Sequence, residues 1–405
     1  MKKLVILASV LSMFLQIAKA SDKDTTKVKK EVLKKTEIDV VYNHYIQDGN
    51  NSAVTGGIGT EKLIVYSPSV TYKRVQGRRG LSLKIGSDII SSASTDNIDF
   101  VKSSASVLDA RTYSNLNVSS MSKSKRVNYG LGTGFSIESD YFSLPINGFI
   151  SKVSKDKSRE MGMEMQVFLD DLRWGRLNPG YYSPQYLIYP QELRGKDWFE
   201  TTKRKSYTAK FSLSQIINKR NIIGVYPAFT VQSGLLATPF HRVFMNDSTT
   251  RVESLPEKRH KLALALKWNS FIGGRTIVKQ DLSMYTDDFG IHSIAYEHEA
   301  TFKLNSELGV SPFVRFYSQK GSRYFAAYKQ HTVNDLYYTS DYDLSTLSSF
   351  KIGMGLKYAP FKQIGKHSLW NSVQLRYAYY KRSNGLYAHV MSCVLIFSHQ
   401  KKLQK

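Results

Sequence analysis

His260-Lys261-Leu262-Ala263-Leu264-Ala265-Leu266-Lys267-Trp268 repeats with a period of two. His260, Leu262, Leu264, Leu266 and Trp268 share one side of an extended chain; Lys261, Ala263, Ala265 and Lys267 share the other. A helix would scatter these apolar positions around its axis, whereas a strand turns successive side chains to opposite faces. The segment is a strand with one greasy face and one polar face.

The same alternation recurs along the chain. Tyr207, Ala209, Phe211 and Leu213 interleave with Thr208, Lys210, Ser212 and Ser214. Phe350, Ile352, Met354, Leu356 and Tyr358 oppose Lys351, Gly353, Gly355 and Lys357. Val373, Leu375, Tyr377 and Tyr379 oppose Gln374, Arg376 and Ala378, and Met161, Met163, Met165, Val167 and Leu169 oppose Glu160, Glu164 and Gln166. About sixteen such strands are expected, near 37–46, 61–73, 80–91, 108–118, 128–138, 140–151, 159–169, 206–216, 222–234, 259–270, 275–286, 291–303, 308–319, 347–358, 369–381 and 386–397. Most run to about ten to thirteen residues, longer than the roughly five or six of a globular strand and enough for a tilted membrane crossing.

Alternation alone fits a soluble antiparallel sheet as well as a membrane barrel. Loop length separates them. The long connections 170–205, 235–258 and 320–346 fall on one rim, and tight turns such as 218–221, 271–274 and 304–307 on the other. The expected fold class is all-β: a transmembrane antiparallel up-and-down β-barrel with long extracellular loops and short periplasmic turns. Tyr66, Tyr72, Tyr129, Phe142, Trp268, Tyr285, Phe302, Tyr358 and Tyr379 gather near strand ends, where rings sit at headgroup level.

The remaining organisation follows. Met1-Lys2-Lys3, the apolar run to Ile17 and Ala18-Lys19-Ala20 read as a signal peptide over 1–20, cut between Ala20 and Ser21. A basic periplasmic tail is expected over 21–36, the barrel over 37–397, and a periplasmic tail over 398–405. The apolar content is 41%, and no stretch after the signal peptide approaches the ~18 apolar residues of a membrane helix. The single cysteine, Cys393, excludes an intrachain disulfide framework and any multi-cysteine metal site.

A barrel of this size is wide enough for an aqueous lumen unless loops fill it. Its inner face is expected to carry Lys210, Lys261, Lys267, Lys351, Lys357 and Arg376 against Glu138, Glu160, Glu164, Glu297 and Glu299. These charges read either as a charge-selective pore or as a self-neutralised wall. Gly130, Gly132 and Gly134 leave inner-face space for a folded-in loop or the N-terminal tail, or mark a local bend.

The formal charge of +24 points to phosphate-rich surroundings: outer-membrane lipid and lipopolysaccharide. Arg78, Arg79, Lys123, Lys125, Arg126, Lys152, Lys155, Lys219 and Arg220 sit on expected periplasmic turns and either seat a periplasmic partner or maintain solubility. Met391, Cys393, Leu395 and Phe397 resemble the aromatic-ended closing strand that barrel-assembly machinery recognises during insertion. Nucleic acid is not an expected partner, because no recognition module occurs.

Asp48, Asn50 and Ser52 imitate the start of a calcium loop, but Ala53 and Gly59 stand where an EF-hand needs Gly and Glu. They remain weak metal candidates. Gly56-Gly57-Ile58-Gly59-Thr60 lacks the Lys and the strand-to-helix setting of a phosphate cradle, and no motif requires a cofactor. His292 and His298 lie about 20 Å apart along one strand, too far for one metal or proton relay. His241, Asp247 and Ser248 share a long loop without a recognisable catalytic motif. No catalytic residue is assigned.

Tyr42 to Glu61, the polar stretch Ser91 to Asp99, and Arg376 to Leu386 resemble the bacterial family labelled domain of unknown function 3570, over nearly all of the chain after the signal peptide. The resemblance implies an outer-membrane β-barrel and carries no catalytic residues. The expected function is a porin-like channel for small polar or anionic solutes. The alternatives are a plugged barrel that docks or assembles a periplasmic or surface partner, and a hydrolase at the extracellular rim.

Overall fold

A computed structural model of the chain describes residues 32–92, 108–138, 141–172, 203–238 and 241–403. The expected signal peptide with its Ala20–Ser21 junction, most of the expected basic tail and most of the connection 170–205 lie outside the described residues.

The long strands are β1 (Val32–Asp48), β2 (Leu63–Gln76), β3 (Arg79–Ser92), β4 (Leu108–Met121), β5 (Val127–Ile137), β6 (Phe142–Val153), β7 (Arg159–Asp171), β8 (Lys203–Asn218) and β9 (Asn221–Gly234). A small hairpin, β10 (Arg242–Phe244) and β11 (Thr250–Val252), precedes β12 (Lys258–Ile272), β13 (Thr276–Asp287), β14 (His292–Lys303), β15 (Leu308–Lys320) and β16 (Leu347–Tyr358). Then come the short β17 (Lys362–Gly365), β18 (Ser368–Arg382) and β19 (Tyr387–Leu403). Every neighbouring pair is antiparallel, and β1 pairs with β19 along its whole length, so the sixteen long strands close into a barrel. Closure removes the unpaired edges that hydrocarbon cannot tolerate.

Each expected strand is present. The ends of the chain differ from expectation: β1 begins at Val32 and β19 runs to Leu403, with Lys34 opposite Lys401 and Glu37 opposite Ser398. Residues 32–36 and 398–403 are therefore wall, not tail. Their polar residues suggested a solvated segment, but at the strand ends a charged side chain can reach water while its backbone continues the ladder.

Turn chemistry fixes the short rim. Asn218 Oδ1 accepts from the N–H groups of Arg220 and Asn221, and Asn305 Oδ1 from those of Glu307 and Leu308. Gly273 and Gly274, at φ 58° and 79°, supply the left-handed backbone of the β12–β13 turn. Asp156 accepts from Ser154 and Ser158 in the β6–β7 turn, which holds its carboxyl down at about 2.

The register separates two faces all the way round. Phe229, Leu262 and Trp268 point outward, as do Met161, Met165, Phe350, Ile352 and Met354, and all are exposed. No helix among the described residues is long and apolar enough to cross a membrane; this fold crosses with strands. The chain is a transmembrane β-barrel with its long loops on the extracellular rim. Tyr285 departs from the expected aromatic belt: it faces inward, and its hydroxyl donates to Asp287 at 2.7 Å.

Candidate functional site: the charged lumen and its loop cap

Inward-facing charges meet across neighbouring strands and form ion pairs. Lys267 lies 2.8 Å from Asp281, and Lys73 lies 2.6 Å from Asp39 and 3.1 Å from Glu37. Glu299 receives Lys279 at 2.8 Å from the adjacent strand and Arg376 at 2.7 Å from β18. Arg376 reaches it by lying over the Phe313 ring, 4.4 Å from the centroid; the ring takes the space at Gly353, and the Arg376 side chain packs at Gly355. Glu297 stands 3.5 Å from Lys351 and 4.0 Å from Arg315. Glu299 is buried between its two cations, whereas the exposed pairs, such as Lys267 with Asp281, contribute about 0–1 kcal/mol each and order the wall more than they stabilise it.

Lys210 and Glu164 are directly opposite on β8 and β7, on the inner face, while Gln166 donates to Glu164. Glu160 is inward beside Ser214, Lys261 beside Asp287, and Lys357 beside Gly309 and Gln374. Glu138 lies 3.7 Å from Arg111 just beyond β5. Among the described residues, atoms of neighbouring strands take up the space at Gly130, Gly132 and Gly134. A Cβ at Gly132 would strike the Asn117 and Asn147 side chains, one at Gly134 would strike Asn115, and one at Gly130 would strike Phe149. Asn147 donates to Asn117 at 3.2 Å, so a short amide ladder fills the vacated space.

At the extracellular end three loops pack on one another. Loop 235–257, which carries β10 and β11, contributes Val243 and Met245, both 0% exposed; loop 321–346 covers them with Tyr338. Backbone bonds sew the two together: Ser254 and Tyr338 exchange a pair at 3.1 and 2.8 Å, and Asn246 N–H donates to His331 O at 2.8 Å. Loop 49–62 docks beside β10, with Gly56 and Gly57 so close to Phe244 and Ser340 that a Cβ would clash at either. Arg382, at the top of β18, pairs with Asp343 and anchors the cap to the wall. On β12, Arg259 pairs with the wholly buried Asp287 side chain beneath Phe289.

A titratable cluster sits within this cap. His241 Nδ1 is 3.6 Å from Glu253 and 3.9 Å from Asp341. Glu253 also accepts from Thr339 Oγ1 and, at 2.6 Å, from Thr238 N–H. Burial opposes charge on His241, but the two carboxylates outweigh it and hold the imidazole up at about 9. Burial pushes the Glu253 carboxyl up, and His241, Thr339 and Thr238 together bring it below its ordinary value. Asp341 is lifted to about 6 by burial, with His241 only partly opposing. His241 thus acts as an electrostatic bridge between the two longest described loops.

The other loop candidates do not converge. Asp247 accepts from Thr249, and Ser248 sits in the β10–β11 turn at φ 70°, so neither joins His241. Asp48 caps the Gly49 N–H, Ser52 is buried beside a short 3₁₀ turn (Ala53–Thr55), and Asn51 N–H donates to Glu61. Among the described residues no group of three or more His, Cys, Asp or Glu is placed to hold a metal. Sequence reading missed Glu253 and Asp341 as partners of His241; their separation in the chain leaves no local signal.

The geometry defines a transmembrane β-barrel with a polar interior and a folded extracellular cap. The chain belongs to the family described as Protein of unknown function (DUF3570), whose model matches residues 101–392. It is similar in structure to a bacterial polysaccharide outer-membrane secretin: TM-score 0.46, 9% identity, covering 93% of this chain and 100% of that one. It is also similar to the outer-membrane protein OpdK of Pseudomonas aeruginosa: TM-score 0.40, 8% identity, covering 90% of this chain and 99% of that one. A third similarity is to the P. putida toluene transporter TodX: TM-score 0.34, 8% identity, covering 93% of this chain and 91% of that one. No curated protein matches the sequence.

Proposed function

We propose that the protein is an outer-membrane channel for small polar solutes whose extracellular mouth is regulated by the loop cap. The observation that carries this reading is the polar inner face of a closed sixteen-strand wall, a width that in this fold class encloses water. Lys84, Lys210, Lys261 and Lys357 face inward without a salt bridge among the described residues, and Glu160 and Glu164 likewise, with Lys210 opposite Glu164 and Lys261 opposite Asp287 but not in ion-pair contact. That imbalance favours a mild preference for anions. Export by the 1–20 signal peptide would deliver the chain to the outer membrane, and N-terminal sequencing of the mature protein should begin at Ser21.

The test is conductance. Full-length mature protein in a planar bilayer should give discrete steps, and a salt gradient should give a reversal potential displaced toward the anion. Permanently silent bilayers would contradict the channel. The buried core of the cap supports a second reading, a plugged barrel that docks a partner. That reading requires silence to persist after the cap has been unlatched.

A further inference from the structure

Outward-facing charge is unevenly distributed around the extracellular rim. Strand alternation turns Lys203, Lys205, Lys258, His292, Lys320 and Lys381 away from the lumen, and all six are exposed. They lie between β8 and β18. At the same end of β2 to β6 the outward residues include Ile64, Ile89, Ala110, Ile137 and Phe142.

Lys381 occupies an unusual position within this arc. In its rung Tyr296 faces Phe316, Phe316 faces Phe350, Phe350 faces Lys381, and Lys381 faces Tyr387. The cation is set among rings at the level where aromatic side chains meet headgroups. One rung higher Ser318 faces Ser348, with Ser383 alongside, and higher still His292 faces Lys320. A groove of about 630 Å³ is floored by Ile294, Phe316 and Phe350 and headed by the serines and Lys381. Lys381 and Lys320 have no carboxylate partner among the described residues. A lone lysine at a lipid-facing position is unfavourable unless its charge reaches water or an anion.

We propose that this groove binds a phosphate-bearing glycolipid of the outer leaflet, of the lipid A type. An acyl chain lies along Ile294, Phe316 and Phe350, one phosphate is held by Lys381 and a second by Lys320, four residues beyond Phe316 on β15, and the serine hydroxyls meet the sugar. Several cations along one arc suit a ligand with more than one phosphate better than a phospholipid with one. The site depends on the wall alone and stands whether or not the lumen conducts.

The test uses full-length mature protein in detergent, titrated with bisphosphorylated lipid A, its dephosphorylated form and phosphatidylglycerol, and read by native mass spectrometry. Lipid A should bind tightest, and Lys381→Ala with Lys320→Ala should weaken it about a hundredfold, the loss of two charge-assisted contacts at about tenfold each. Lys152→Ala, outward at the periplasmic end of β6, should leave binding unchanged. On the wild-type chain, lipid A should shield Lys381 and Lys320 from amine acetylation; this readout needs no variant to fold. Equal affinity for phosphatidylglycerol or for dephosphorylated lipid A would overturn the proposal. So would unshielded lysines, unaltered binding by the double variant, or efficient Phe316→Cys crosslinking between copies in the presence of lipid A.

Discussion

On β12 the apolar residues cover nothing: Leu262 is 50% exposed and Trp268 44%, because their partner is lipid. In the loop that precedes it, Val243 and Met245 are fully buried beneath Tyr338 in a core the loops make for themselves. The wall is held by continuous backbone ladders and by solvent on one face and lipid on the other. The cap is held like a small soluble protein, by side-chain burial, crossed hydrogen bonds and one ionic cluster. A wall of this kind is insensitive to which polar residue sits inside, whereas the cap depends on a few contacts.

Four changes should sharpen that contrast. The largest effect is expected for Glu253→Ala, which strips the buried His241 of its nearer carboxylate and leaves only Asp341, 3.9 Å away. Removing one partner of a buried ion pair costs about 3–5 kcal/mol. Hydrogen exchange should accelerate across 235–257 and 321–346 while the heat-modifiable mobility of the barrel persists. Loss of both together would show that wall and cap are one cooperative unit.

Next is the wall's lipid face. Leu264→Arg should lower barrel stability in urea by about 2–4 kcal/mol, the cost of a cation near the bilayer midplane. Its neighbour Ala265→Arg, facing water, should cost far less. Equal costs would erase the distinction between the faces.

A smaller effect is expected from pH. His241 binds its proton more tightly in the cap than in a free chain, so its contribution is full below pH ~6.5 and disappears as pH rises through about 9. Asp341 also holds its proton more tightly than in the free chain. Its contribution is full below pH ~3.8 and falls as pH rises through about 6. Both signs agree: alkalinisation loosens the cap. Bilayer recordings should show longer open dwell times at pH 9.5 than at pH 7, a difference that His241→Gln removes. The smallest change is expected for Lys267→Gln, whose solvated pair with Asp281 should cost no more than about 1 kcal/mol. It should appear chiefly as a small shift in ion selectivity.

The wall was legible because its determinants are local. Alternation in His260–Trp268 fixes which face is which, and turns such as 218–221 fix where neighbouring strands reverse. Pairing adjacent strands in order then places Lys267 near Asp281 with no further information. The ends of the wall were less legible, since Lys34, Lys35, Lys401 and Lys402 read as solvated residues whether or not their backbones are paired. Gly130, Gly132 and Gly134 were visible as missing side chains, but what fills the space depends on Asn115, Asn117 and Asn147 across the register. The cap was hidden almost entirely. His241 meets Glu253 through a hairpin and Asp341 through a separate loop, and irregular backbone offers no periodicity from which to infer either meeting.

The central claim, lipid outside and water inside, is tested most directly along β12. In a Cys393→Ser background, residues 261–268 are replaced one at a time by cysteine, spin-labelled and reconstituted in liposomes. Accessibility to oxygen and to a water-soluble nickel chelate is then read. Positions 262, 264, 266 and 268 should favour oxygen, and 261, 263, 265 and 267 the chelate. A smooth profile without alternation, or chelate access on both faces, would contradict the account.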